Sequence, residues 1–218
     1  DLKEPVYYEV ETIRDGGSFS VRRVKAEQNN RVIFFMGASF QGLEEGYNHQ
    51  LEMPKVPHHE GLYSWDQIYE QLKGFLPKSI EKFFSIERPI TFKPTVVTNP
   101  VKRKKLDPFQ NIWFKIKGEM ENDPIYNRSI LSYISDYNIL TTALHPHADV
   151  AHFGNTQMAT LDHSMWFFRE CDINEWMLFS IESPSASGAR GFARGNIFSE
   201  SGQLIASVTQ EGLMRPKN

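Results

Sequence analysis

Three polar side chains stand where their neighbours are apolar, and together they could activate a water molecule. Asp136 lies beside an apolar helical stripe, so its carboxylate could act as a general base whose proton affinity is set by its surroundings. Gln210 lies on a strand where the residues of its own parity are Leu204, Ala206, Val208, Gly212 and Met214. Its amide therefore points to the apolar side, and a buried donor or acceptor without a partner costs about 1–3 kcal/mol. By strict alternation Thr160 shares a strand face with Met158, Asp162 and Trp166. An Asp, a Thr and a Gln brought together could hold one water and take its proton. Spacing alone does not single these three out from the other polar residues.

The periodicity predicts a helix from about Pro124 to Leu144, with proline suited to its first turn. Its apolar stripe would be Tyr126, Ile130, Tyr133, Ile134, Tyr137 and Leu144, and Asp136 shares the neighbouring strip with Ser129, Ser132, Leu140 and Ala143. A strand follows from about Thr156 to Phe168, then EWMLFSIES, ARGFARGNIF and QLIASVTQEGLM, joined by short turns that imply hairpins. Before the helix, ERPITFKPTVV and NIWFKIKGEM are two more strands. One long helix with an antiparallel sheet is an α+β arrangement.

Nearer the start, residues 6–41 read as three strands with turns at Asp15-Gly16-Gly17 and Asn29-Asn30. On the third, Val32, Phe34, Met36, Ala38 and Phe40 face one side and Ile33, Phe35, Gly37 and Ser39 the other, so both faces call for cover. The chain therefore divides into residues 1–41, a linker with short helices over 42–86, and a larger unit over 87–218. In the linker, Ser64 and Gln67 form a capping-box signature for one helix, and SIEKFFSI suggests a second.

A net charge of −3 gives no overall reason to expect nucleic acid or an anionic membrane as partner. No apolar run approaches the roughly 18 residues of a spanning helix. The single Cys171 excludes an internal disulfide and a cysteine metal cluster, and it fits a reducing compartment.

Other constellations read more plainly. His145, His147 and His152 have metal-like spacing but lie in a loop, so no metal is expected there. Asp162 and His163 are strand neighbours and should point to opposite faces, leaving Asp162 as a structural support. The Lys102–Lys105 run reads as a solvated loop sooner than as a contact for phosphates, and Gly188, Gly191 and Gly195 do not lead from a strand into a helix as a dinucleotide loop would. Cys171 has no evident base.

The segments SDYNIL at 135–140, TLDHSMWFFR at 160–169, NEWMLFSIES at 174–183, ARGFARG at 189–195 and SVTQEGLMR at 207–215 resemble the acyl-CoA thioesterase II family, a double hotdog fold. ETIRDGGSFSVRRVKAEQNNRVIFFMGASFQ at 11–41 is similar to the end of that family's first hotdog. By this resemblance Asp136, Thr160 and Gln210 match the catalytic trio, at intervals of 160 − 136 = 24 and 210 − 160 = 50. It implies hydrolysis of fatty acyl-CoA to fatty acid and CoA by activated water, with no covalent acyl-enzyme and no cofactor. Arg190 and Arg194 are then candidates to hold CoA or a carboxylate.

The resemblance further implies a first hotdog that is N-terminally incomplete in these residues, and the segment carrying its helix is expected to dock on the Phe34/Met36/Phe40 face. It also implies a homo-oligomer. A cytoplasmic enzyme is expected, because RPKN is not a peroxisomal address, although a trimmed terminus would reopen that location. Two other readings stand beside it. One is a catalytically silent acyl-CoA- or lipid-binding hotdog protein. The other is a hotdog hydratase, which would want a histidine near the aspartate where this chain has Tyr137 and Asn138.

Overall fold

The computed structural model describes residues 3–75, 86–97 and 104–217, and the contacts divide the chain into Asp1–His49 and Gln50–Asn218. In the first unit β1 (Tyr7–Asp15), β2 (Phe19–Gln28) and β3 (Arg31–Gln41) form an antiparallel meander. Asn29 and Asn30 both take positive φ, 52° and 59°, the pair a tight hairpin turn demands. The register skips Ile33, pairing Phe34 with Ala26 but Val32 with Glu27. This bulge moves Val32 to the face opposite Phe34, Met36 and Phe40, which strict alternation had grouped with it. That opposite face also carries ion pairs of Arg23 with Glu11 and of Lys25 with Glu9, so it is not uniformly apolar.

The second unit is one antiparallel six-stranded sheet. Its strands are β4 (Ile90–Pro94), β5 (Phe109–Ile116), β6 (Thr156–Phe167), β7 (Met177–Ser187), β8 (Arg190–Ser199) and β9 (Leu204–Pro216), in spatial order β4-β5-β7-β8-β9-β6. Both faces are covered. On one, Ile112, Phe114, Phe179, Ile181, Ala193, Ile197 and Val208 pack with Leu131, Ile134 and Ile139 from the helical region. On the other, Trp113, Leu178, Phe198 and Leu204 are covered by Met53, Val56 and Leu62 of the connecting segment. Trp113 Nε1 donates to Pro57 O at 2.9 Å, and Gln50 donates to Gly202 O at 2.8 Å, so much of the expected linker is bound to this sheet. The segment leads into α1 (Trp65–Leu72), where Ser64 and Gln67 close the expected capping box. SIEKFFSI lies outside the described residues except for Ile86.

The helix differs from the sequence expectation in two ways. First, it is not continuous: α2 runs Pro124–Ser135 and a single turn, α3, runs Ile139–Thr142. Between them Asn138 takes φ 66°, a conformation asparagine tolerates. Its carbonyl accepts from Gln110 Nε2 (2.9 Å), Thr141 Oγ1 (2.8 Å) and Thr142 Oγ1 (3.0 Å), so the break is held from β5 as well as locally.

Second, the buried face of α2 is Asn127, Leu131, Ile134 and Ser135, while Tyr126 and Tyr133 of the expected stripe are exposed. Asn127 can be buried because Nδ2 donates to Cys171 O (2.6 Å) and Asn122 Oδ1 (2.7 Å) and Oδ1 accepts from Ile173 N (3.3 Å). Hydrophobic periodicity cannot see a satisfied amide.

α3 lies close on the sheet, and two glycines allow this. A Cβ at Gly212 would clash with the Leu140 methyls, and one at Gly191 would clash with the Met214 sulfur and lie 2.7 Å from Ala143 Cβ. Gly191→Ala should therefore destabilise the protein by about 1–3 kcal/mol, because the Ala143 methyl cannot rotate away. A denaturant midpoint for Gly191→Ala equal to that of wild type would contradict this packing.

Candidate active site

A bulge in β6 decides which residue stands beside Thr160 and Gln210. Thr160 pairs with Gly212, Asp162 with Glu211 and His163 with Gln210, so Leu161 is the unpaired residue. Before the bulge Thr160 faces the helix side, and after it His163, not Asp162, does so. The expected grouping of Thr160 with Asp162 and Trp166 is thereby corrected. Asp162 instead supports the strand pairing, since its Oδ1 accepts the Glu211 N–H at 3.0 Å and closes the irregular ladder.

Asp136 is the C-cap of α2, held at the helix break, and the sheet brings the other two residues to it. Thr160 Oγ1 donates to Asp136 Oδ1 at 3.2 Å. Gln210 Nε2 donates to the same Oδ1 at 3.0 Å and to Thr160 Oγ1 at 2.8 Å. Gln210 is 1% exposed, whereas Asp136 and Thr160 are open to solvent. One carboxylate oxygen is thus fixed by two donors. Among the described residues no hydrogen bond is recorded at Oδ2, which leaves it able to take a proton from water.

Two groups that the sequence reading did not place in the site join this network. His163 Nδ1 lies 3.1 Å from Gln210 Oε1, and His163 Nε2 lies 2.8 Å from the Oγ of fully buried Ser135. Strict alternation set His163 aside because it gives no sign of a bulge. Tyr137, next to Asp136, is not a competing base: burial first, then the Tyr133 hydroxyl, pushes its pKa up to about 12.

The remaining candidates lie elsewhere. Arg190 and Arg194 fall on the sheet face opposite Gln210, paired with Glu211 at 3.1 Å and Glu182 at 2.6 Å. Lys102 and Arg103 lie outside the described residues, and Lys104 and Lys105 are exposed. Burial and the adjacent Glu170 and Asp172 push the Cys171 thiol up to about 11, so it is a poor nucleophile.

Among the described residues the one group with metal-ligand geometry is His58, His59 and Glu200, their ligand atoms within 4.8 Å of one another. His59 Nε2 lies 2.6 Å and His58 Nε2 3.1 Å from Glu200 Oε1, while the His59 ring stacks on Trp176 at 4.6 Å. The group fastens the connecting segment to the β8–β9 turn. The hydrogen bond from His59 holds the Glu200 carboxyl below its usual range.

A family model described as acyl-CoA thioesterase matches residues 79–213. Over 215 residues the chain is 41% identical to acyl-CoA thioesterase 2 of Haemophilus influenzae, covering 99% of this chain and 75% of that protein. The crystal structure of an acyl-CoA thioesterase II from Mycobacterium marinum matches with a TM-score of 0.75 at 34% identity, over 97% of this chain and 74% of that one. A conserved protein of unknown function with a hotdog fold from Alicyclobacillus acidocaldarius matches with a TM-score of 0.73 at 15% identity, over 97% of this chain and 73% of that one. The architecture is the α+β hotdog fold anticipated from the sequence. The chain belongs to the acyl-CoA thioesterase family.

His145, just past α3, gives a pH-dependent prediction. Burial pushes its pKa below the ordinary 6.5, against the opposing effect of the Asp107 and Phe109 carbonyls. Below pH 6.5 the unfolded chain therefore binds more protons at this site than the folded one, and stability is lost as pH falls. His145→Gln should flatten the dependence of unfolding free energy on pH below 6.5; an unchanged slope would contradict it.

Proposed function

We propose that Asp136, Thr160 and Gln210 carry the hydrolysis of acyl-CoA by direct attack of water. As a member of this family the chain is a thioester hydrolase, and the observation supporting this assignment within it is the convergence of two distant side chains, Thr160 and Gln210, on Asp136 Oδ1. Thr160 and Gln210 fix the carboxylate and line the place where water must sit. Asp136 removes a proton from that water as its oxygen attacks the thioester carbon. The tetrahedral intermediate collapses with cleavage of the carbon–sulfur bond, and the proton passes from Asp136 to the departing CoA sulfur. The products are the free acid and CoA, with the aspartate returned to its carboxylate form. No covalent acyl-enzyme and no cofactor are needed.

Arg190 and Arg194 remain proposed contacts for CoA or a carboxylate. Each would exchange a glutamate for phosphate or carboxylate oxygens, which a guanidinium binds with the same fork. The enzyme is proposed to work as a homo-oligomer in the cytoplasm or, with a peroxisomal address, in that organelle. No helix among the described residues is long and apolar enough to cross a membrane.

Thiol release from medium- and long-chain acyl-CoA tests the reaction. Asp136→Asn should abolish release while acyl-CoA still binds, and comparable turnover would remove Asp136 as the base. Gln210→Ala should lower kcat by about 10- to 1000-fold, the range for one positioned polar group, and an unchanged rate would remove it from the trio. Binding without turnover by wild type would favour a silent acyl-CoA-binding protein.

A further inference from the structure

We infer that His163 is a positioning residue for the thioesterase reaction, its Nδ1–H setting which way the Gln210 amide points, with Ser135 holding the imidazole from behind. The inference rests on the trio assigned above and follows from counting protons. Asp136 as a carboxylate only accepts, so both hydrogens of the Gln210 NH2 are needed toward Asp136 Oδ1 (3.0 Å) and Thr160 Oγ1 (2.8 Å). Gln210 Oε1 must then face His163 Nδ1, 3.1 Å away, and that nitrogen must donate. If the amide turned over, its oxygen would face the carboxylate and the site would hold two opposed acceptors.

The far side of the ring obeys the same count. Ser135 Oγ lies 2.8 Å from His163 Nε2 and 2.7 Å from Ser132 O, and one hydroxyl proton can serve only one of them. With a neutral ring, Ser135 donates to Nε2. With a charged ring, Nε2 donates to Ser135, which donates to Ser132 O. Both arrangements keep the proton on Nδ1. The one that does not, a neutral ring with its proton on Nε2, is the arrangement that accepts a reversed amide. His163 therefore acts through Gln210, its ring nitrogens being taken up by Gln210 and Ser135.

Three substitutions separate this role from simple packing. The side-chain nitrogen of asparagine falls where Nδ1 stands, whereas that of glutamine falls nearer Nε2. His163→Ala and His163→Gln should lower kcat by about 10- to 100-fold, the loss typical of partners that orient a reacting group, while KM changes little. His163→Asn should recover most of the rate. An asparagine variant as slow as alanine, or an alanine variant as fast as wild type, overturns the inference, with melting temperatures recorded to separate unfolding from misplacement.

A turnover-independent arm is the long-range proton–nitrogen spectrum of the His163 ring in the full chain at alkaline pH. A proton on Nδ1 is expected, and one on Nε2 overturns the role whatever the rates. Active wild type, inactive Asp136→Asn and indifferent His163 variants would sink this inference and leave the trio standing. Turnover by Asp136→Asn would instead sink the trio.

Discussion

A carboxamide sealed inside an apolar sheet face has to be met by partners, and the geometry around Gln210 follows from that requirement. Leaving even one of its groups unpaired would cost about 1–3 kcal/mol, and it is 1% exposed. Its partners come from two other parts of the chain. Asp136 stands at the end of a helix, and Thr160 and His163 stand on the neighbouring strand. Satisfying the amide and assembling the site are therefore the same event, so a fold that lacked one would lack the other.

Three local irregularities make the meeting possible, and each has its own cause. The helix stops after Ser135 because Asn138 accepts a left-handed conformation and Gln110 reaches over from β5 to hold its carbonyl. β6 bulges at Leu161, with Asp162 taking up the Glu211 N–H, so Thr160 and His163 come to one face although three positions apart. α3 descends onto the sheet where Gly191 and Gly212 leave no side chain in its way. A regular β6 would set Asp162, not His163, beside Gln210. On the sheet's other face, the segment from Gln50 onward packs against Trp113, Leu178 and Phe198 through Met53, Val56 and Leu62.

Much of this was legible from residue order. The strands announce themselves by alternation and by their turns, Asn29-Asn30 above all, and Ser64 with Gln67 marks a helix start whose capping bonds are present. The trio was not legible in the same sense. Local pattern identified Asp136, Thr160 and Gln210 only as polar residues in apolar company, and it was the resemblance of DHSMWF and QEG to a known family that joined them. The misreadings share one physical origin: periodic rules assume a period that never slips. One skipped residue at Ile33 put Val32 on the wrong face, and another at Leu161 hid His163 and misplaced Asp162. A buried Asn127 that satisfies itself on the 171–173 backbone shifted the apparent face of α2. Bulges and satisfied polar groups depend on partners far along the chain, and no window of sequence contains them.

In the proposed mechanism Asp136 passes a proton and does not itself attack the thioester. Its Oδ1 is tied by two donors and the residue is exposed, an arrangement in which the carboxylate can take a proton from water. The most direct test is a single turnover in water enriched in oxygen-18, with enzyme in excess over acyl-CoA. Direct attack predicts that the first fatty acid released carries the label and that the enzyme does not. An unlabelled acid, together with label in the Asp136 carboxylate, would show that the aspartate had formed an anhydride with the substrate, and it would contradict the account.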